Sequence, residues 1–290
     1  MIPKLSICIS LYNYEHYIGD LLASIYDQDY RNIEIVVVDD ASSDGSVARV
    51  EKSSRWSPFP VRLLRNEVNR GSAYTTRRSI AESTGDYFIS IAADDMFERN
   101  TLARPMRRLI DDPQAACFIG NGHFFTDQAV LPTVLHNADK VRLLSLPPQQ
   151  VLARLHVFPE AIWLGTIIYR RDFFDMAGGV PDVPCEDWGM HINMFRTMIE
   201  QGCHAIVDGD YHLLRYRMHD NSMSSDVRRH TARKVATIRK MTPRALWTQA
   251  LRNNFDKSRA LCEFYGQPEL AARFARRVRA LDARLARAGA

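Results

Sequence analysis

Two adjacent carboxylates, Asp94 and Asp95, follow the apolar run Tyr87-Phe88-Ile89-Ser90-Ile91. Neighbouring carboxylates repel one another unless a cation, a hydrogen-bond donor or a proton stands between them. Side chains alternate across a strand, so such a pair suits a strand end, where at least one carboxylate can face a crevice. That arrangement fits a divalent metal held against a nucleotide diphosphate. The plainer reading is a helix start, with one carboxylate capping a helix over 98–109. A second pair, Asp39-Asp40, closes the run Ile33-Glu34-Ile35-Val36-Val37-Val38 and leads into Ala41-Ser42-Ser43-Asp44-Gly45-Ser46. One of the two is expected to order that serine turn and the other to bind. Arg77 and Arg78 offer guanidinium forks to a phosphate, or else solvate a helix face. Glu186-Asp187 stands before Trp188, where acids suit either proton transfer or the ordinary stabilisation of a helix N-terminus.

The elements that must position these groups follow from periodicity. Residues 5–10 predict a first, central strand, and Ile18, Leu21, Leu22 and Ile25 then recur at helical spacing. Residues 33–38 are almost continuously apolar, as a parallel strand covered on both faces must be. A short strand over 61–64, a helix over 72–83 and the strand of residues 87–90 complete four strand–helix alternations in the first 95 residues. This predicts an α/β unit with a mostly parallel sheet. Ligands of such sheets sit beyond the carboxyl ends of the strands, where Tyr12-Asn13, Asp39-Asp40 and Asp94-Asp95 all fall. No G-x-G-x-x-G follows the first strand and no G-x-x-x-x-G-K-[ST] occurs, so dinucleotide-dehydrogenase and P-loop chemistry lose their main support.

Beyond residue 115 the alternation stops. Strands are expected over 116–119 and 124–125, around a turn at Gly120-Asn121-Gly122, and again over 163–169, 205–207 and 211–216. Helices are expected over 147–157 and from Glu186 towards Glu200. Residues 226–290 read as helical, with Leu270, Phe274, Val278, Leu281 and Leu285 on one face of the last helix. Its opposite face carries Arg273, Arg276, Arg277, Arg284 and Arg287.

With 290 residues, 46% hydrophobic, the chain is long enough for one large domain and an appendage. No run reaches the ~20 apolar residues of a membrane span. Five scattered cysteines without a C-x-x-C pair argue for a cytoplasmic compartment and against a zinc or disulfide framework. The net charge of +4 is unevenly spread. Residues 226–290 hold 16 Lys and Arg against 5 Asp and Glu (+11), leaving 22 against 29 (−7) in the first 225 residues. The basic appendage suits packing on the body or on a second copy as a homo-oligomer, or contact with an anionic inner membrane face. Nucleic acid is not expected as a partner, because no aromatics interleave with the arginines.

Several segments together resemble glycosyltransferase family 2, enzymes of the GT-A fold. Ser6-Ile7-Cys8-Ile9-Ser10-Leu11-Tyr12-Asn13-Tyr14 resembles that family's first strand and Tyr-Asn turn. Val36-Val37-Val38-Asp39-Asp40-Ala41-Ser42-Ser43-Asp44 resembles its V-V-D-D-x-S-x-D signature. Arg70-Gly71, Thr76-Arg77 and Gly85-Asp86-Tyr87 follow its spacing, and Ile91-Ala92-Ala93-Asp94-Asp95 stands where its D-x-D metal motif belongs. Gly178-Gly179-Val180-Pro181 and Glu186-Asp187-Trp188 resemble the acceptor-side G-G-x and acidic segments. Tyr216-Arg217-Met218-His219-Asp220-Asn221-Ser222-Met223-Ser224 resembles the closing Y-R-x-H-x-x-N-x-S segment. The likeness covers about residues 4–225. One departure is Ala92, where the family often has a further Asp.

The resemblance implies a Rossmann-like α/β fold: a GT-A domain over 1–225 (nucleotide half 1–95, acceptor half 96–225) and a helical extension over 226–290. It implies metal-dependent, inverting transfer of a sugar from a nucleotide diphosphate, UDP-linked by expectation, to a saccharide or lipid-linked acceptor in surface polysaccharide or glycoconjugate assembly. Leu11, Tyr12, Asp39, Asp40, Arg77 and Asp94 would meet the nucleotide, with Tyr12 stacking on the base, Asp40 accepting its N–H and Arg77 on the diphosphate. Asp95, with His219 as a further candidate, would hold Mn²⁺ or Mg²⁺. Asp187 would be the general base, beside Glu186. The open alternatives are a non-catalytic sugar-nucleotide-binding module, in view of Ala92, and a metal-dependent nucleotidyltransferase. The latter lacks support because Leu11-Tyr12-Asn13-Tyr14-Glu15-His16 carries no Gly-rich basic loop.

Overall fold

The computed structural model of the chain describes residues 2–158, 162–219 and 226–288. The described strands are β1 (Leu5–Leu11), β2 (Ile33–Asp39), β3 (Val61–Arg65), β4 (Tyr87–Ala92), β5 (Met96–Phe97), β6 (Ala115–Phe125), β7 (Val130–Val134), β8 (Ile167–Arg170) and β9 (His204–Arg217). The α-helices are α1 (Ile18–Tyr26), α2 (Ser46–Ser54), α3 (Ser72–Glu82), α4 (Ala103–Asp111), α5 (Ala138–Leu144), α6 (Pro148–Val157), α7 (Arg171–Met176), α8 (Glu186–Gln201), α9 (Val227–Met241), α10 (Trp247–Phe264) and α11 (Pro268–Ala288). No helix among the described residues is long and apolar enough to cross a membrane.

Two compact units divide the chain: residues 1–147, 163–179 and 197–218 form one, and 148–162, 180–196 and 219–290 the other. The first unit holds a sheet in the order β3-β2-β1-β4-β8-β6-β9-β5, with β7 on β6. Strands β3, β2, β1 and β4 are parallel, in line with the βα alternation of their sequence. Strand β8 joins β4 antiparallel, and β6 and β9 pair in parallel. The parallel character therefore belongs to the four strands within residues 5–92 and to the later pair of β6 and β9. The apolar run of β2 is explained by its interior place between β3 and β1, since Ile33, Ile35, Val36, Val37 and Val38 are all buried.

Three expectations are corrected here. The turn expected at Gly120-Asn121-Gly122 is absent, and β6 runs through it unbroken. The glycines serve close backbone approach instead: a Cβ on Gly122 would lie 2.2 Å from the Leu214 carbonyl oxygen, and one on Gly120 2.9 Å from that of Tyr211. The two strands expected over 205–207 and 211–216 are likewise the single 14-residue β9. The helix expected over 98–109 begins only at Ala103.

The second unit is helical. Helices α9, α10 and α11 close on Val227, Phe255, Cys262, Ala271, Phe274, Val278 and Leu281. The Phe255 and Phe274 rings stack at 5.8 Å. The apolar stripe of α11 is thus used in packing. Asn253 donates to the Val157 carbonyl (2.8 Å) and Thr242 to that of His156 (3.3 Å), which ties α6 to this bundle.

Candidate active site

Asp94 and Asp95 lie in the turn between β4 and β5, not at a helix start. The capping role belongs to Asp29, whose Oδ1 accepts the Leu102 and Ala103 amides at 3.2 and 2.9 Å ahead of α4. Both members of the pair are nearly inaccessible, Asp94 at 9% and Asp95 at 5% exposure. Burial, with the Asp94 charge alongside, pushes the Asp95 carboxyl well above the usual carboxylate range; the Arg217 amide and guanidinium offset this only in part. Tyr14 donates its hydroxyl to Asp94, and burial followed by that neighbouring charge keeps the phenol protonated.

Arg217, at the end of β9, holds this turn in place. Its amide donates to Asp95 Oδ1 (3.0 Å) and its Nε to the Asp94 carbonyl (2.9 Å). The guanidinium also pairs with Asp127 and with Asp20, the latter at 2.8 Å. It lies over the rings of Tyr17 and Phe125, 4.8 and 4.5 Å from their centroids. Such a fork fixes several acceptors in one plane, which a lysine would not do. Residue type and spacing alone assign Arg217 and Tyr14 no role of their own. The available signal was their presence in the Tyr-Asn and Tyr-Arg segments.

Asp39 and Asp40 are both engaged within the protein. Asp39 is fully buried; it accepts the Ser42 amide (3.2 Å to Oδ2) and pairs with Arg65 at 3.3 Å. Asp40 accepts Asn66 Nδ2 (2.7 Å) and the Arg70 amide (2.8 Å) at Oδ1, and the Gly71 amide (2.7 Å) at Oδ2. It braces the loop that enters α3, where Gly71 takes φ +87°. A base N–H would have to share Oδ2. The last residue of β1, Leu11, is buried, with its carbonyl accepting the Asp40 amide at 2.8 Å.

Tyr12 is different: it is 44% exposed. It stands on a turn stitched to the serine loop. Asn13, in the left-handed region at φ 53°, accepts the Ser43 amide and gives its own amide to Ser42, both at 2.9 Å. Tyr14 and Glu15 give their amides to Ser46 (2.9 Å) and Asp44 (3.1 Å). On α3, Arg78 is committed to the Arg65 carbonyl (2.8 Å) and Asn66 (2.5 Å), while Arg77 is partly buried on the same helix.

In the second unit Glu186 and Asp187 open α8. Asp187 Oδ1 accepts the Trp188 amide at 2.7 Å, and the buried Trp188 indole donates to the Leu155 carbonyl at 3.0 Å. Burial raises the Asp187 carboxyl above its ordinary range, against the lowering effect of the Trp188 amide, Lys234 and Arg233. Glu186 lies 3.5 Å from Arg233, whose guanidinium also grips the Pro184 carbonyl. His219 is partly buried, just before residues 220–225. Asp220, Asn221, Ser222, Met223 and Ser224 lie outside the described residues.

Among the described residues no three His, Cys, Asp or Glu are gathered as a metal cage. The donor set of the β4–β5 turn nevertheless fits a hard divalent cation. Mg²⁺-like ions are commonly held by one or two carboxylates, with substrate phosphates and water supplying the rest. A pair in which burial first, and the neighbouring Asp94 charge second, raises the Asp95 carboxyl is suited to such a charge.

A family model described as glycosyl transferase family 2 matches residues 6–175, more than half of the chain. The chain belongs to glycosyltransferase family 2. An uncharacterised glycosyltransferase of Haemophilus influenzae is 24% identical over 239 residues, covering 77% of this chain and 68% of that protein. Abequosyltransferase RfbV of Salmonella typhimurium is 35% identical over 101 residues, 34% of this chain and 30% of RfbV. The amylovoran biosynthesis glycosyltransferase AmsB of Erwinia amylovora is 33% identical over 98 residues, 33% of each chain. The matched part thus spans about a third of the length of the latter two. Among solved structures, mannosyltransferase PcManGT of Pyrobaculum calidifontis, in complex with GDP-Man and Mn²⁺, superposes with a TM-score of 0.62 at 20% identity, covering 100% of this chain and 80% of its own. TarS 1-349 of S. aureus, in complex with UDP-GlcNAc, gives 0.62 at 19% identity over 97% and 83%. At such identities the likeness is one of fold, and the fold of this family 2 member is GT-A.

Proposed function

We propose that this family 2 chain transfers a sugar from a nucleotide diphosphate, UDP-linked, to a hydroxyl of a saccharide or lipid-linked acceptor in surface polysaccharide or glycoconjugate assembly. The observation that carries the reading is the buried Asp94-Asp95 turn, braced by Arg217 and Tyr14 at the end of β4. Asp95, supported by Asp94 and with His219 as a further candidate ligand, would hold Mn²⁺ or Mg²⁺. When bound, the ion neutralises charge growing on the leaving diphosphate. Support comes from the Mn²⁺ and GDP-Man of PcManGT and the UDP-GlcNAc of TarS, each a property of those proteins.

Tyr12 offers an exposed ring for the base, with Asp40 Oδ2 as acceptor for its N–H and Asp39 and Leu11 shaping the turn beneath. Arg77 is assigned to the diphosphate as a charged fork. Asp187 takes the acceptor proton as the hydroxyl attacks, with Oδ2 the receiving oxygen because Oδ1 accepts the Trp188 amide. Single displacement of this kind inverts the anomeric centre. Glu186, paired with Arg233, orients the start of α8.

Thermal stabilisation by a panel of nucleotide sugars, with and without Mn²⁺ or Mg²⁺, tests the reading. A metal-dependent rise in melting temperature with one nucleotide diphosphate is expected. No stabilisation by any nucleotide with either ion would end it.

A further inference from the structure

The hairpin of α10 and α11 presents an exposed aromatic tip and a basic face, of which Arg277 is also engaged in the hairpin's own packing, 4.9 Å above the Phe255 ring. At the tip, Phe264 is 75% exposed and Tyr265 42% exposed, with their rings packed edge to face at 5.1 Å. The turn behind them is tight: Gly266 takes φ +64° and Gln267 gives its amide to the Cys262 carbonyl at 2.7 Å. A large aromatic held outward at a tight turn leaves apolar surface in water.

The second feature is charge. Helix α11 holds six arginines and two acids, Glu269 and Asp282. At ~3.6 residues per turn, Arg273, Arg276, Arg277, Arg284 and Arg287 fall within an arc of about 100°. They extend for roughly 21 Å along the axis. Among the described residues none of the five makes an ion pair. The arginines of α10 behave otherwise: Arg252 pairs with Asp282 (3.0 Å) and Arg259 with Glu263 (2.7 Å). Arg273 and Arg277, with Arg228 of α9, also rim a groove of about 300 Å³ floored by Phe255, Leu270 and Phe274. Positive walls over an apolar floor complement an amphiphile with an anionic head.

We infer that the α10–α11 hairpin is a docking surface for an anionic lipid bilayer. Phe264 and Tyr265 enter the interfacial layer, and the unpaired arginines of α11 lie on acidic headgroups. Interfacial aromatics and basic helix faces are the two elements by which proteins lie on a bilayer without crossing it. A nucleic acid would use the arginines but leaves the exposed Phe264 ring without a function, so the bilayer fits both observations.

Flotation of the full chain with vesicles tests this. Vesicles of phosphatidylcholine containing phosphatidylglycerol should carry the protein, pure phosphatidylcholine should not, and salt should release it. Arg273→Glu with Arg276→Glu and Arg277→Glu should weaken binding about tenfold or more, at about 1 kcal/mol per basic residue near the surface. Phe264→Ser with Tyr265→Ser should weaken it severalfold at unchanged salt dependence. All five positions are exposed or lie at a turn, and an unchanged melting temperature checks that the variants fold. Binding to neither vesicle, equal binding to both, or binding untouched by either set of substitutions would overturn the inference. Tighter retention on duplex DNA than on acidic vesicles, with the aromatic substitutions silent, would replace the bilayer with a nucleic acid.

Discussion

At the scale of single residues, the site depends on Arg217 as much as on its carboxylates. One side chain meets the Asp94 carbonyl, Asp20 and Asp127, while its amide meets Asp95. Asp20 and Asp127 are half or more exposed, which weakens those pairs, so Arg217→Ala is expected to cost about 2–4 kcal/mol. Arg217→Lys should recover only part of this, because the amine reaches fewer acceptors. Urea melts of the three proteins check the order. Asn13 is a smaller case. Asn13→Ala should cost about 1–2 kcal/mol, from its left-handed backbone and the lost Ser43 contact, and Asn13→Gly less. Two substitutions test the proposed roles of Asp95 in binding and of Asp187 in proton transfer. Asp95→Ala should reduce metal-dependent nucleotide binding by calorimetry, whereas Asp187→Asn should abolish transfer and spare it. Because the Asp187 carboxyl is raised, its proton-accepting form is lost as pH falls through a value above the ordinary ~4. The acid limb of kcat/KM should accordingly lie above the range of a simple aspartate.

At the scale of elements, local signals and long-range partners divide what could be read in advance. The buried runs of β2 and β4 and the stripe of α11 announce themselves through periodicity, and the structure has them at nearly the expected bounds. Carboxylate pairs at strand ends are equally visible. What Asp94-Asp95 does not do was hidden, because the cap of α4 comes from Asp29, more than 70 residues away in sequence. Gly120 and Gly122 resemble a turn by composition, and only the approach of β9 shows that they serve a continuous strand, whose register with β9 shifts at this point. Asn121 between them bonds both ways with His136, donating to its carbonyl (2.9 Å) and accepting its amide (2.8 Å). The His136 ring lies against Thr166 at 3.1 Å, and burial, with Lys140 nearby, lowers its pKa to about 3. Below an unfolded value of ~6.5 the unfolded chain takes up a proton that this ring refuses. Stability should therefore fall as pH drops from 7 to 5, by about 1–2 kcal/mol from His136 alone. Urea denaturation of the wild type and His136→Asn at both pH values isolates that share.

At the scale of the whole molecule, both units are assembled from separated stretches of chain. The second takes residues 148–162 and 180–196 as well as 219–290. Helix α9 accordingly holds the start of α8 through Arg233 on Pro184 and Thr237 on Cys185. Deleting 226–290 is expected to lower the melting temperature and invite proteolysis near α8, which limited trypsin digestion would reveal. Strand β9 carries the longer consequence. It lies between β6 and β5, and β5 has no other partner among the described strands. A ribosome delivers residues 94 and 95 long before residue 217, so the nascent carboxylate turn must wait without its Arg217 contacts for more than 120 residues of further synthesis. Closing so long a loop is slow. If the turn holds the ion proposed for it, competence for metal should thus arrive late, and a chain that ends before β9 should bind none.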